Sequence, residues 1–185
     1  MASKAERALS FGAIAEDYDR LRPTPPTEAL GWLVPDGCGV AVDVAAGTGL
    51  FTRALVKLEH VDHVIAVEPD DRMRAVLAER SPEVEVLAGT GEAIPLPDAS
   101  VDALFVASAW HWLDESRAIP EIARVLRDGG RLGVLWSSRD RELEWVRELD
   151  LRPGEQRPID ALEDQHRRRR EIAADGDGRF DNIER

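Results

Sequence analysis

The stretch AVDVAAGTGLFTRALV, residues 41–56, carries a short apolar run into Ala-Ala-Gly-Thr-Gly and then resumes an apolar pattern. A continuous apolar run is what a strand buried on both faces requires, and such strands alternating with helices make a parallel sheet covered on both sides. The alternation continues outward. VAVDVA (40–45) predicts a first strand, Leu50 to Leu58 a helix, HVIAVE (63–68) a second strand and Asp71 to Glu79 its helix. VEVLA (84–88) predicts a third strand and VDALFVA (101–107) a fourth. Glu115 to Leu126 then predicts a helix ended by Asp128-Gly129-Gly130, and RLGVLW (131–136) a fifth strand. The expected fold class is α/β, a doubly wound Rossmann-like parallel sheet.

Upstream, RPTPP (22–26) separates a leader or lid segment, 1–26, from a helix over Thr27 to Leu33, because consecutive prolines suit neither a helix nor a central strand. The sheet domain is expected over 27–150. After Trp136 the sequence turns polar, and 151–185 reads as a tail with Pro153, Pro158 and ADGDG at 174–178.

The whole chain has 185 residues, 43% of them hydrophobic, and a formal net charge of −12. That suits one globular domain with a real core. The N-terminus lacks the unbroken apolar run of a signal peptide and no stretch is long enough to span a bilayer, so the expectation is a cytoplasmic protein without membrane insertion. Cys38 is the only cysteine, which excludes an internal disulfide and a zinc site of several thiolates; no metal is expected. The acidic balance argues against nucleic acid, since phosphate binding is driven by clustered Lys and Arg. Arg167 to Arg170, flanked by Glu163, Asp164 and Glu171, read as a solvated helical face.

In doubly wound sheets the ligand sits outside the carboxyl ends of the strands, beside the first one. Gly47 and Gly49 let the backbone turn tightly there and let a ligand approach main-chain N–H groups, and Asp43 aims a carboxylate at the same crevice. On its own AAGTG is equally a plain strand-to-helix turn. Glu68 adds a second signal, because it ends the second strand, where an acidic side chain accepts both hydroxyls of a ribose. Its other reading, a partner for the following helix, is already met by Asp70 and Asp71. A dinucleotide site wants G-x-G-x-x-G, and this chain has Phe51-Thr52 where the last glycine would come. A ligand with ribose and no pyrophosphate fits better.

These residues resemble the class I S-adenosylmethionine-dependent methyltransferases, and among them the small-molecule type that includes the C-methyltransferases of ubiquinone and menaquinone biosynthesis. VDVAAGTG (42–49) is similar to the first family motif and AVEPDDRM (66–73) to the acidic motif of the second strand. GTGEAIPLPDASVDALFVASAWHW (89–112) matches the stretch through the fourth strand, ARVLRDGGRLGVL (123–135) the fifth, and FGAIAEDYDRLRPTPP (11–26) the family's opening. The resemblance implies S-adenosylmethionine as cofactor. Asp43 and the Gly47 to Gly49 backbone would face its amino-acid end, Glu68 would hold the ribose, and Met73 would pack on adenine, a role that competes with a plain core position. Gly91, near Thr90, would present backbone to the adenine edge; Ala107 or Ser108 would lie beside the methionine portion. Two positions depart from the family pattern: Ala45 stands where glycine is frequent, and Thr90 where aspartate is frequent.

Methyl transfer from a sulfonium mainly requires acceptor and methyl to be held in line, since the cofactor supplies the leaving group. For a hydroxyl, amine or acidic-carbon acceptor His111 is the candidate base; its alternative is to pack between Trp110 and Trp112. The two tryptophans are read either as walls of an apolar acceptor pocket or as core. Phe11 and Tyr18 are read as a lid over the cofactor or as a cap on the sheet. The family's sheet normally closes with two further strands, the last antiparallel, and here only RFDNIER (179–185) resembles the start of one. The expectation is therefore an incomplete C-terminal region, with RLGVLW as an exposed edge available for self-association. Three readings follow: a methyltransferase acting on a small-molecule acceptor, a truncated and catalytically silent protein of the same fold, and a nicotinamide-dependent oxidoreductase.

Overall fold

The structure is a computed structural model, and it describes residues 10–136. After a 3-10 stretch at Ser10–Ile14 come α1 (Ala15–Leu21) and α2 (Thr27–Leu33), then β1 (Cys38–Val44), α3 (Leu50–Val56), β2 (Val61–Val67) and α4 (Asp71–Arg80). The chain continues through β3 (Glu85–Leu87), β4 (Val101–Ala107), a 3-10 turn at Trp110–Trp112, α5 (Glu115–Val125) and β5 (Leu126–Leu135). All strand pairings are parallel and the spatial order is β3-β2-β1-β4-β5. The chain winds one way from β1 through β3 and then returns across β1 to build β4 and β5. The reversal leaves β1 innermost, with a crevice at its carboxyl end.

Register and alternation decide what each strand residue faces. Ala41 pairs with Val64 and Ala103, and Asp43 with Ala66 and Phe105, so these residues share one face of the sheet. Leu30 and Leu33 of α2 and Phe51 and Leu55 of α3 pack on that face against Ala41 and Phe105. Leu77 of α4 closes on Ala66 farther along it. The residues between, Val42, Val44, Leu104 and Val106, are fully buried as well. α5, capped by Asp114, buries Ala118, Ile122 and Val125.

One boundary departs from the sequence expectation. The helix expected to run to Leu126 and end at Asp128-Gly129-Gly130 stops at Val125, and those residues lie inside β5, which starts at Leu126 rather than Arg131. Val101 pairs with Leu126 but Ala103 pairs with Arg131, so the strand begins, bulges out through 127–130 and resumes. Gly129, at φ +76°, supplies the left-handed residue that such an excursion needs. β5 is one of the two outer strands of the sheet among the described residues, β3 being the other. The expectations for 151–185, including Arg167 to Arg170 and RFDNIER, lie outside the described residues. Among them, no helix is long and apolar enough to cross a membrane and no group of three or more His, Cys, Asp or Glu could hold a metal ion.

Phe105 is 1% exposed and its ring centroid lies 5.5 Å from that of Phe51. Phe105→Ala is expected to lower unfolding stability by about 3–5 kcal/mol in chemical denaturation. A loss below about 1 kcal/mol would mean that α2 and α3 do not form a tight core on this face.

Candidate functional site

Strand alternation aims Asp43 at the face that α3 covers, one residue before the chain leaves β1. Its carboxylate is 1% exposed. Thr52, in the first turn of α3, donates its hydroxyl to Asp43 Oδ2 at 2.6 Å. Thr52 occupies the position where a dinucleotide motif would have its third glycine, so the departure from that motif is itself part of the site. Asp43 Oδ1 and Thr48 Oγ1 are buried and have no hydrogen-bond partner among the described residues. Burial pushes the Asp43 pKa up to about 7; the Thr52 hydrogen bond opposes the shift and the nearby Glu68 charge adds to it.

Glu68 follows β2 on the same side. It is also buried, and it accepts the Gly47 backbone N–H at 2.8 Å on Oε2 and the Asp70 N–H at 2.9 Å on Oε1. Burial raises its pKa, and these two backbone hydrogen bonds oppose the rise. Glu68 therefore ties the turn after β1 to the turn after β2, and Asp70 takes the capping role at α4 by accepting from the Arg72 and Met73 amides.

The glycine turn divides its work. Gly47 has φ +59° and open space where a Cβ would stand, which leaves its backbone approachable. Gly49 has φ +85°, and a Cβ there would lie 2.7 Å from Leu77 Cγ, so this glycine serves packing against α4 rather than ligand approach. Ala45 also takes a left-handed φ of +57°, which costs an alanine about 1–2 kcal/mol relative to the right-handed region. Glycine would take this conformation without that cost.

The other expected residues fall on two sides of the crevice. Met73 is buried with Ala15 and Val76, and Tyr18 packs against them, so it forms core between the leader and α4. Thr90 bridges to Ala93, and Gly91 is buried where a Cβ would meet Leu113 at 2.8 Å. Ala107 ends β4, and Ser108, at φ +56°, donates its N–H to the Leu135 carbonyl at 2.6 Å. Trp110 is fully buried and donates its indole N–H to Glu115 at 3.1 Å; it is a core residue and lines no open pocket. Trp112 is half-buried, with the exposed His111 ring 4.6 Å away and Phe11 6.1 Å away. Phe11 in turn stands edge-on to Tyr18 at 5.8 Å.

Several residues escaped motif reading. Arg53 donates to the Thr48 carbonyl at 2.7 Å, Arg74 to those of Glu68 and Pro69 at 2.7 and 2.8 Å, and Arg124 to those of Leu96 and Ile94 at 2.9 and 3.0 Å. Each guanidinium fork secures a loop that carries candidate site residues. Spacing offered no signal for them, because their acceptors are main-chain carbonyls.

A parallel sheet whose order reverses at β1, with a glycine turn there and buried carboxylates ending or following β1 and β2, is the arrangement of the α/β proteins that hold a ligand at the carboxyl ends of their strands. The family model of the methyltransferase domain matches residues 42–134. An uncharacterized methyltransferase of Mycobacterium tuberculosis is 51% identical over 147 residues, 80% of this chain and 60% of the relative. A malonyl-[acyl-carrier protein] O-methyltransferase of Methylococcus capsulatus is 38% identical over 67% of this chain and 48% of its own length. Among solved structures, an S-adenosylmethionine-dependent methyltransferase of Thermotoga maritima is 32% identical, with TM-score 0.56 over 76% of this chain and 65% of that one. The chain belongs to the class I S-adenosylmethionine-dependent methyltransferase family. It spans 60% of the length of the mycobacterial relative. The oxidoreductase and silent-fold readings are not favoured by these likenesses.

The acceptors present fit the family's cofactor: a buried carboxylate oxygen without a partner among the described residues suits an ammonium, a second carboxylate suits ribose hydroxyls, and Gly47 has open space where a Cβ would stand.

The Asp43 shift has a stability consequence. An unfolded aspartate titrates near pH 3.8, so between there and about 7 the folded chain keeps a proton that the unfolded chain has lost. This carboxyl's contribution to stability is full below pH 3.8, falls as pH rises to about 7 and is level above. Asp43→Asn is expected to melt higher than wild type at pH 8 without ligand, with the gap narrowing toward pH 5. Thermal melts across that range check it, and a pH-independent gap would rule out the buried proton as its source.

Proposed function

We propose that this chain is an S-adenosylmethionine-dependent methyltransferase acting on a small-molecule acceptor. The observation that carries the reading is the convergence of Asp43, Glu68 and the Gly47 backbone at the carboxyl ends of β1 and β2, with Asp43 Oδ1 left for a donor. When bound, the cofactor supplies the sulfonium methyl and its leaving group. The chain's own residues hold and shield it. In this reading Asp43 takes the ammonium, Glu68 the ribose hydroxyls, Thr90 and Gly91 the adenine edge, and Ala107 and Ser108 the methionine portion. Met73 reaches adenine only by way of its core position.

His111 and Trp112 stand after β4, next to Phe11 of the leader, and this aromatic group is the proposed wall of the acceptor site. His111 is the proposed base where the acceptor must lose a proton. Segments 1–26, 27–150 and 151–185 are the proposed leader, catalytic domain and tail. Pairing of two copies through β5 is the proposed route of any self-association.

Calorimetric titration with S-adenosylhomocysteine tests the cofactor, with NAD as control. Saturable binding is expected, and Asp43→Ala and Glu68→Ala are each expected to weaken it by about 10- to 100-fold, the range for hydrogen bonds to charged groups. Binding of NAD alone would overturn the reading. With an acceptor in hand, His111→Ala is expected to lower kcat by about 10²–10⁴-fold, and an unchanged kcat would reduce His111 to a packing residue.

A further inference from the structure

Asp19, in the leader, is 7% exposed, and each of its oxygens is taken by a different helix. Arg53 of α3 donates to Oδ1 at 2.6 Å and Arg80 of α4 to Oδ2 at 2.7 Å. One carboxylate thus joins the leader to both helices that follow the strands of the cofactor site. Arg53 extends the connection, because its other terminal nitrogen donates to the Thr48 carbonyl at 2.7 Å. Thr48 stands between Gly47 and Gly49, at φ +59° and +85°. Glycines on both sides let this peptide take more than one orientation. Two hydrogen bonds select one: the Gly49 N–H donates to the Ala46 carbonyl at 3.0 Å within the turn, and Arg53 holds the Thr48 carbonyl from outside it.

The docking of the leader is also seen at Gly12. A Cβ there would lie 2.4 Å from both oxygens of Asp70, so the leader backbone rests directly on the α4 cap. On the far side Phe11 reaches Trp112 beyond β4. The leader therefore touches both banks of the crevice.

We propose that Asp19 is a positioning residue for the cofactor: through Arg53 and the Thr48 carbonyl it holds the Gly47–Gly49 turn in its binding conformation, so leader docking and ordering of the turn are one event. The relay rests on the methyltransferase reading of the site. Its ion pair is well shielded, with side-chain exposures of 4% for Asp19 and 23% for Arg53, and is worth more than a surface pair. The planar fork is essential, because a lysine ammonium cannot span both acceptors in fixed geometry. Arg80 pairs with Asp19 without touching the turn.

The test uses the full chain and two measurements, S-adenosylhomocysteine titration and amide hydrogen exchange without ligand. Asp19→Asn and Arg53→Lys are each expected to weaken binding about tenfold, while Arg80→Gln changes it less than about threefold. The Asp19→Asn, Arg53→Lys double variant is expected to bind no more weakly than the weaker single, since both cut one relay. Exchange at the Thr48 and Gly49 amides is expected to rise in Asp19→Asn while β1 and β4 amides keep their protection, a separation that general destabilisation would not produce. Unchanged binding by Asp19→Asn, additive losses in the double variant, or strand amides loosening together with the turn would each overturn the relay. If wild type fails to bind S-adenosylhomocysteine, the methyltransferase reading fails, and the exchange data, which need no ligand, still decide whether Asp19 orders the turn.

Discussion

A carboxyl group is sealed at the end of the innermost strand of an apolar sheet, and much of the surrounding architecture answers to it. Asp43 sits where alternation would otherwise place another Ala or Val, flanked across the ladder by Ala66 and Phe105. Burying a charge there is unfavourable, which is why its proton is held to about pH 7. The fold offsets part of that cost with hydrogen bonds from Thr52, whose hydroxyl donates to one carboxylate oxygen. A departure of this kind from a consistent core is characteristic of a binding site, where a ligand supplies what the protein alone does not.

The turn beyond Asp43 is shaped by three left-handed residues with different causes. Gly47 faces open space, Gly49 lies against Leu77, and Ala45 accepts the strain of a methyl group in a conformation better suited to glycine. Glu68 then ties this turn to the start of α4 through two backbone amides. The candidate cofactor residues are thus linked by main-chain hydrogen bonds as much as by their own side chains.

Arginine holds the remaining loops. Arg53, Arg74 and Arg124 each direct a fork at backbone carbonyls beside the site, and each also pairs with a carboxylate: Asp19, Asp71 and Glu121 respectively. In an acidic chain these guanidinium groups use the surplus of carboxylates as anchors while hydrogen-bonding the carbonyls of the loops.

The strands and most of the helix starts could be read from the residues because burial on both faces demands long apolar runs, and because Gly and Asp mark turns and caps locally. The carboxylates Asp43 and Glu68 were legible for the same reason: each interrupts or ends an apolar run at a place the winding makes functional. The start of β5 was not legible, since Asp128-Gly129-Gly130 reads equally as a helix stop or as a bulge, and only pairing with β4 selects the bulge. Nor were the parts played by Trp110, Thr52, Asp19 and Arg53. The order of apolar runs and turns determined the fold and the position of the crevice, because those depend on neighbours in sequence. Which hydroxyl meets Asp43, which tryptophan is core and which leader charge reaches the glycine turn were decided by tertiary structure, because each depends on partners 5 to 34 residues away that only the packed sheet and helices bring within hydrogen-bond reach.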